Sequence, residues 1–465
     1  MKKLYKLTFA LLLSVGLITG CEDFLEPSVD QALPIGTAIQ TVDDLRGFVL
    51  GAHDILNSVG LYGRDFAVAP DVMSDNAFSN GNSGRFLIQT QFNFVTTNAY
   101  SSDTWNGFYR VIAIANIVIN SDLSGTPQID YVKGQAYAIR ALAHMNLLKL
   151  FGQQWVSGGD ANLGIPYVTT YASGNNYPSR DPIATVWANI GQDFAQAASL
   201  MNPSLDGPVT RIGYYAVKGL QSRYYLYTGD FAAAIAAADV VINSGRFSLV
   251  APENLGAAWA SGSGPGSLFE MAFNTTDRLG TDNIARILRP TNYGDVEATA
   301  DLYNAYTADD ARRTQLMTDY GNGRYRVTGK YVDELGTDNT RVIRFAEVWL
   351  NKAEALSRRN SGNDRAVAQE MINTLSAGRG SSRVYDNGDP LTVLAERRLE
   401  LAMEGHRMFD LARHGLAIPN PPIPAGLQRF NNGASPLSFG DFKFALPIPN
   451  AEINANPNMV QNSGY

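Results

Sequence analysis

Residues 396–414 contain the densest group of side chains that could perform acid–base or metal chemistry. Two sets of side chains each recur at four-residue intervals. The first set is Glu396, Glu400 and Glu404, and the second is His406, Asp410 and His414. On a single helix, this spacing would place His406, Asp410 and His414 on one face, as a metal site requires. Eight residues of helix, however, separate the two imidazoles by about 12 Å, which is too far for one ion. We therefore predict no metal site, and we expect Asp410 to pair locally with Arg407, Arg413 or His406.

Motifs that would indicate an enzyme are missing from the sequence. It contains no Gly-x-Ser-x-Gly elbow, phosphate loop, His-Glu-x-x-His pair or calcium loop. The adjacent carboxylates Asp309 and Asp310 stand beside Arg312 and Arg313. That arrangement fits helix capping better than acid–base work on a glycoside. We therefore predict no catalytic residues and no cofactor.

Composition narrows the class of ligand. The formal net charge is -7, which does not favour a nucleic-acid partner. Only 17% of residues are charged, whereas 10% are aromatic, including 22 Tyr. Such a composition suits a rigid surface for neutral, polar, ring-shaped ligands, and it equally suits a large core.

The single cysteine, Cys21, lies where a bacterial lipoprotein signal would place it. Lys2, Lys3 and Lys6 precede an apolar stretch, residues 7–17, that is too short for a permanent membrane span. Small residues come directly before Cys21, as signal peptidase II requires. We expect residues 1–20 to be removed and Cys21 to be lipidated, so that several acyl chains hold the protein on a membrane.

Helical periodicity dominates the rest of the chain, beginning at Thr41. Apolar residues recur every three or four positions over residues 105–119, 132–150 and 212–227. Residues 211–245 contain two such helices, which Gly229 separates by adopting a positive φ angle. This is the pattern of a tetratricopeptide-type helix pair, and residues 344–375 contain a looser copy. Two pairs are too few for a free-standing solenoid, so we expect them to pack against the loop-rich segment 248–341.

These observations predict a mainly α fold with a few short strands. Residues 1–20 would be the signal peptide, and residues 21–40 would be an acidic, proline-containing tether. Residues 41–465 would form a single fold. Within it, a helical half covers about residues 41–247, and a loop-rich and C-terminal half covers about residues 248–465.

Three segments together resemble a known family. The first segment is residues 396–415, which contains Glu-Gly-His-Arg at 404–407. The second is the terminus, which contains Pro447-Ile448-Pro449, Asn456-Pro457 and Gly464-Tyr465. The third is the run from Trp105 to Asn116. With the lipoprotein signal upstream, the chain is similar to the SusD/RagB family of surface glycan-binding lipoproteins. The resemblance covers nearly the whole mature chain.

The resemblance implies an architecture, a location and a partner. The fold would be built on tetratricopeptide-like helix pairs, and the protein would face outward from the outer membrane. It would sit as a lid over a SusC-type TonB-dependent barrel. Its ligand would be an oligosaccharide or, in some members, a peptide or another nutrient, and catalysis would not be expected.

A sugar site needs an aromatic face for stacking with amide, carboxylate or guanidinium groups around it. Trp105 matches a tryptophan of the glucan-holding aromatic arc in the starch-binding family member, whereas Phe108 replaces a polar contact and puts starch itself in doubt. The polar loop upstream would add Asp75, Phe78 and Arg85. A second cluster would comprise Arg289, Asn292 and Tyr293.

Two alternatives stay open from the sequence. Trp105 could instead be a buried part of the core at its own helix. The protein could also be a tetratricopeptide-type lipoprotein that binds peptide or protein. Exposed aromatic arcs would favour a glycan, whereas a concave groove lined with Asn and Arg would favour a peptide.

Overall fold

The computed structural model describes residues 39–157, 163–171, 176–261, 266–427 and 436–465. Residues 41–465 form one compact unit. Cys21 and the proposed signal peptide and tether lie outside the described residues, apart from the last two residues of the tether. Helices dominate the described chain, and the strands are few and short, so the predicted mainly α class is confirmed.

The N-terminal half begins with six helices. They are α1 (Val42–Leu56), α2 (Asp65–Val72), α3 (Leu87–Gln91), α4 (Ala99–Ile119), α5 (Pro127–Phe151) and α6 (Ile183–Leu200). Helix α1 begins as the sequence predicts, because the Thr41 side chain accepts a hydrogen bond from the Asp44 backbone and the Asp44 carboxylate accepts one in return. Helix α5 contacts α1, α4 and α6, and it is buried along most of its length.

The two predicted helix pairs are present. Helices α7 (Tyr214–Thr228) and α8 (Phe231–Ile242) meet at Gly229, whose φ angle is 79°. Helices α13 (Phe345–Arg359) and α14 (Asp364–Ala377) are separated by a turn that starts at Asn360, whose φ angle is 52°. Helix α8 also packs on α13, so the two pairs are neighbours in one layer.

Short elements fill the loop-rich segment. The helices are α9 (Leu255–Ala260), α10 (Ile284–Leu288), α11 (Ala300–Ala305) and α12 (Ala311–Leu316). The strands are β1 (Ala77–Ser79), β2 (Ser267–Met271), β3 (Val296–Ala298), β4 (Met317–Asp319), β5 (Tyr325–Val327) and β6 (Thr340–Arg344). Strands β1, β3, β5 and β4 form one antiparallel sheet in that order, and β2 pairs with β6.

The charged segment is two helices rather than the single helix that the sequence suggested. Helix α15 covers Pro390–Glu400 and helix α16 covers Arg407–Arg413, with α17 (Asn450–Ala455) near the C-terminus. The chain breaks between α15 and α16 because Met403 and Gly405 adopt φ angles of 62° and 77°. No helix among the described residues is long and apolar enough to cross a membrane.

The histidines of this segment contact separate carboxylates on α13. His406 Nε2 lies 3.7 Å from Glu347, and His414 Nε2 lies 2.9 Å from Glu354. Burial lowers the pKa of His406 to about 3, despite the nearby carboxylate of Glu347. The described residues hold no group of His, Cys, Asp and Glu side chains arranged for a metal ion. The predicted ion pair between Asp410 and Arg413 is confirmed at 2.8 Å.

Candidate functional site

The pairing of β1 with β3 brings two distant loops side by side. Phe78 lies opposite Glu297 in this antiparallel pair. The loop that leaves β1 therefore runs beside the loop that enters β3. Asn80 fixes the register, since its backbone N–H donates to the Asp295 carbonyl at 2.8 Å and its Nδ2 donates to the Gly294 carbonyl at 2.8 Å.

Arg85 and Tyr293 meet where these loops reach the surface. The guanidinium carbon of Arg85 lies 4.0 Å from the centre of the Tyr293 ring, within the range of a cation–π contact. Asn82 Nδ2 donates to the Tyr293 carbonyl at 2.6 Å. Both Arg85 and Tyr293 remain partly exposed, and Asn82 is exposed. The arrangement presents a planar cation, a phenol and an amide together at the surface.

The Arg85 guanidinium is held from behind by an acidic side chain. Its Nη2 pairs with Asp282 at 3.1 Å, and Asp282 also pairs with Arg64 at 2.8 Å. Burial opposes the charge, but the hydrogen bond and the charge of Asp282, together with Tyr293, outweigh it and raise the pKa of Arg85. Arg85 is thus a fixed cation with its orientation set before any ligand arrives.

Asn292 and Arg289 support the Tyr293 loop. The amide of Asn292 contacts the Glu334 carboxylate, which also accepts from Thr291 Oγ1 at 2.6 Å. Arg289 Nη2 donates to the Thr328 carbonyl at 2.8 Å. Asn292 stays partly exposed beside Tyr293, whereas the Arg289 guanidinium is directed to main-chain oxygens.

Tyr320 is an exposed aromatic that the sequence reasoning missed. It lies in the β4–β5 turn and is 47% exposed. Arg326 connects it to the Tyr293 loop, because its guanidinium lies 6.0 Å from the Tyr320 ring and donates to the Gly294 carbonyl at 2.8 Å. The available signal was an aromatic residue inside the turn Asp319-Tyr320-Gly321-Asn322-Gly323. We call Asn82, Arg85, Asn292, Tyr293 and Tyr320 the Tyr293 surface.

Asp75 and Phe78 are not surface residues, so their predicted ligand-binding role is wrong. The Asp75 carboxylate is buried and accepts two hydrogen bonds from Arg407, at 2.6 and 2.8 Å. Burial would raise the pKa of Asp75, but Arg407 and Arg398 lower it. Phe78 is buried in strand β1. Both residues hold the polar loop onto the core instead of meeting a ligand.

Trp105 is also buried, so the prediction of an exposed stacking face there is wrong. Only 2% of the residue is exposed. Its ring packs edge-on against Phe151 of α5 at 5.0 Å and beside Tyr109 at 4.8 Å. It lies in the second turn of α4, and the described structure shows no contact between it and the Tyr293 surface. The alternative of a core residue is the one that the structure supports.

The Tyr293 surface offers chemistry for recognition. Aromatic rings and a guanidinium plane stack on the apolar faces of sugar rings, and amides such as those of Asn82 and Asn292 donate to and accept from hydroxyls. Asp282 already neutralises the charge of Arg85, and Glu334 already accepts a hydrogen bond from the Asn292 amide. The surface therefore suits a neutral, hydroxyl-rich ligand.

Comparison with known proteins places the chain in a family. Residues 289–465 match the SusD family, and residues 23–226 match the family described as starch-binding, associating with the outer membrane. SusD-like protein P2 of Formosa agariphila is 26% identical over the full length of both chains. The starch-binding protein SusD of Bacteroides thetaiotaomicron is 33% identical, but over 30% of this chain and 24% of its own.

The fold agrees with these relatives. A SusD superfamily protein from Bacteroides thetaiotaomicron superposes with a TM-score of 0.81 at 26% identity, and the match covers 91% of this chain and 100% of that one. Proteins of this family bind ligands and are not enzymes. Sequence motifs, helix pairs and the superposed fold all agree that the chain belongs to the SusD/RagB family.

Proposed function

We propose that this protein captures an oligosaccharide at the Tyr293 surface and passes it to a SusC-type TonB-dependent barrel in the outer membrane. The observation that carries the proposal is the Arg85–Tyr293 stack, flanked by the amides of Asn82 and Asn292. Relatives described as starch-binding and associated with the outer membrane support the class of ligand and the location. The ring of Tyr293 would stack on a sugar, and the amides would bind its hydroxyls.

The binding site is tested by electrophoresis of the purified protein through native gels that contain amylopectin, laminarin, xyloglucan or pectin. We expect at least one polysaccharide to retard the protein. Tyr293→Ala should lower affinity by roughly 30-fold, because truncation of a central aromatic commonly costs about 2 kcal/mol. Tyr171→Ala is the matched control, since Tyr171 is another exposed tyrosine outside this surface. Equal retardation of both variants and the unaltered protein would contradict the site.

Lipid anchoring is the second part of the proposal. Cys21 follows a signal-type segment, and acylation there would hold the mature chain on the membrane. Cys21→Ser should release the protein into the soluble fraction or leave it unprocessed. If the variant still partitions with the outer membrane at normal abundance, and does so in cells that lack the barrel, the anchor is wrong.

The barrel partner is tested by mild detergent extraction of the full-length chain followed by affinity purification. We expect a TonB-dependent barrel to co-purify in a fixed ratio. Its absence, with the lipoprotein intact and folded, would contradict delivery to a transporter and would leave the glycan site to be judged by the gels alone.

A further inference from the structure

A cleft lies between helices α1 and α5. Segment 205–211 contributes its third wall, and its volume is about 390 Å³. Sites for small ligands commonly enclose roughly 300–1,000 Å³. None of the residues that line this cleft belongs to the Tyr293 surface. The cleft therefore has the size of an independent site for a small molecule.

Two buried polar side chains in the lining have unmet hydrogen-bonding capacity. His53 of α1 is 7% exposed, and neither of its ring nitrogens forms a hydrogen bond. Gln135 of α5 is 6% exposed, and its Nε2 donates to the Ile212 carbonyl at 2.8 Å. The Oε1 atom of Gln135 accepts no hydrogen bond from a described residue. Buried polar groups are nearly always paired, because an unpaired one costs stability, so these atoms point to a polar ligand.

His53 offers both a donor and an acceptor. Burial, and to a smaller extent the charge of Arg211, lowers the pKa of His53 to about 4. The imidazole is therefore neutral at pH 7, with one nitrogen protonated and the other not. The ring packs against Phe269 of β2, with the ring centres 5.4 Å apart. It can present a nitrogen to the cleft by turning about χ2, a torsion with a broad, two-fold profile.

One cation of the cleft has no counter-charge. Arg46 pairs with Asp43 at 2.6 Å, so the charges of these two lining residues cancel. The side chain of Arg211, by contrast, forms no hydrogen bond or ion pair with another described residue. Its charge is felt at the buried imidazole, which places it close to the unpaired polar atoms. The carboxylate of Asp206 is engaged elsewhere, because it accepts from the Tyr131 hydroxyl at 2.8 Å.

We propose that this cleft binds a small hydroxycarboxylate with an apolar body. The carboxylate would pair with Arg211. The hydroxyl would donate to Gln135 Oε1 or to His53 and accept from the other imidazole nitrogen, since a hydroxyl does both. The apolar body would cover the apolar part of the lining, which comprises Val49, Leu50, Val132 and Leu205.

Other ligand classes satisfy only part of this lining. A neutral sugar would leave Arg211 without a counter-charge, and a simple fatty acid would leave the buried polar atoms of His53 and Gln135 unpaired. The proposal stands independently of glycan binding at the Tyr293 surface.

The test is saturation-transfer difference NMR on the purified full-length protein at pH 7, with mandelate and 3-hydroxy-3-phenylpropanoate as probes. We expect at least one probe to bind saturably. Its counterpart without the hydroxyl, phenylacetate or 3-phenylpropanoate, should bind roughly fivefold more weakly, because the buried polar atoms stay unpaired. Its methyl ester should bind about tenfold more weakly, because the charge is lost. The proposal is overturned if neither probe binds, or if either counterpart binds as tightly as the acid.

Charge variants locate the bound probe. Arg211→Gln should lower the affinity about tenfold and abolish the preference for the acid over its methyl ester. Arg246→Gln is the matched control, because Arg246 is another exposed arginine and lies outside the cleft. It should leave the affinity unchanged, and so should Tyr293→Ala, which separates this site from the glycan site. Equal affinities in Arg211→Gln and Arg246→Gln would overturn the proposal.

His53→Phe distinguishes a role in binding from a structural role. The variant removes the unpaired nitrogens and keeps a ring against Phe269, so the Tm should stay the same or rise. The affinity per folded molecule should nevertheless fall roughly fivefold. A lower Tm with unchanged affinity would assign the histidine to the core and overturn its part in the site.

Discussion

Arginine and carboxylate side chains serve opposite purposes in two regions of this molecule. In the interior, Glu400 accepts from Arg344 at 2.7 Å, from Arg379 at 2.8 Å and from Arg312 at 3.2 Å. Glu404 extends the group by pairing with Lys330 at 2.6 Å. We call these six residues the Glu400 network. Five of them are buried and Glu404 is half-buried. They join α15 and α12 to strand β6, which ends at Arg344, and to the segment after α14 that contains Arg379.

At the Tyr293 surface, the same kinds of side chain are left partly open. Arg85 pairs with a carboxylate that Arg64 shares, its Nη1 donates to Ser83 Oγ at 2.9 Å, and the face of its guanidinium contacts the Tyr293 ring. A desolvated charge must be fully paired in the fold, whereas a half-exposed one keeps capacity for a ligand. The degree of burial, and not the residue type, therefore distinguishes scaffold from recognition.

Acid should break the scaffold before it affects the surface. Burial alone would raise the pKa of Glu400, but Arg379 and Arg344 hold it well below 4.5, and guanidinium groups likewise lower the pKa of Glu354 and Asp410. A depressed folded-state pKa contributes stability that is present above the unfolded-state value and is lost as the pH falls below it. We expect the Tm to drop steeply below about pH 4.5.

Asp71 works in the opposite direction. Burial, partly offset by its hydrogen bonds, raises its pKa from 3.8 to about 6, so its contribution favours the fold more as the pH falls through about 6. Asp71→Asn should remove this contribution to the pH dependence of stability, which is smaller than that of the Glu400 network. Thermal melts from pH 7 to pH 3 at constant ionic strength test both effects, and an unchanged Tm at pH 3 would contradict the dominance of the Glu400 network.

Glu400→Gln should be the most destabilising single change in the network. It leaves Arg344, Arg379 and Arg312 buried with one fewer counter-charge, and removal of one partner from a buried ion pair costs about 3–5 kcal/mol. Urea denaturation measures the loss. Glu370→Gln is the matched control, because Glu370 is exposed on α14, and its effect should stay within about 0.5 kcal/mol. Similar values for the two variants would remove the distinction between the regions.

Trp105→Ala should lower the free energy of unfolding by about 3–5 kcal/mol, because it empties a buried site against Phe151. Polysaccharide affinity per folded molecule should be unchanged. Trp105→Phe should cost less, since it keeps part of the packing. Loss of affinity with full stability would return Trp105 to the ligand site.

Gly405→Val should cost on the order of 1–3 kcal/mol. A Cβ atom at Gly405 would lie 2.6 Å from the Phe66 carbonyl oxygen, and the φ angle of 77° disfavours a branched side chain. Gly415→Val is an informative control, because Gly415 has a φ angle of 68° but no atom within 4 Å of its added Cβ. The difference between the variants isolates the clash. Equal losses would show that backbone strain alone is responsible.

Local patterns predicted the helices, and contacts between distant segments decided the rest. The α7–α8 pair follows from apolar spacing and Gly229, which are all within one segment. The burial of Trp105 depends on Phe151, 46 positions away, which periodicity in α4 does not reveal. The break at Met403 and Gly405 was hidden because the surrounding residues keep a helical spacing.

The candidate site shows the same division. Arg85 was predicted from a polar loop and Tyr293 from a second aromatic and polar cluster, but only the β1–β3 pairing shows that they touch. Asp75 and Phe78 belong to the same polar stretch, yet Arg407 and the sheet draw them inward. Partners more than 300 positions away, such as Arg407 for Asp75, are not specified by any local pattern.

Tyr320→Ala should have the smallest effect and gives the sharpest test of where the surface ends. Its ring is 47% exposed, and the hydrogen bond from its backbone N–H to the Arg324 carbonyl, at 2.9 Å, survives the substitution. Stability should therefore change by less than about 0.5 kcal/mol. If Tyr320 extends the platform, polysaccharide affinity should fall by about 1 kcal/mol, or roughly fivefold, on the same native gels. Tyr320→Phe should retain most of that affinity, because stacking uses the ring and not the hydroxyl. An unchanged affinity in Tyr320→Ala would confine recognition to the two loops that β1 and β3 bring together.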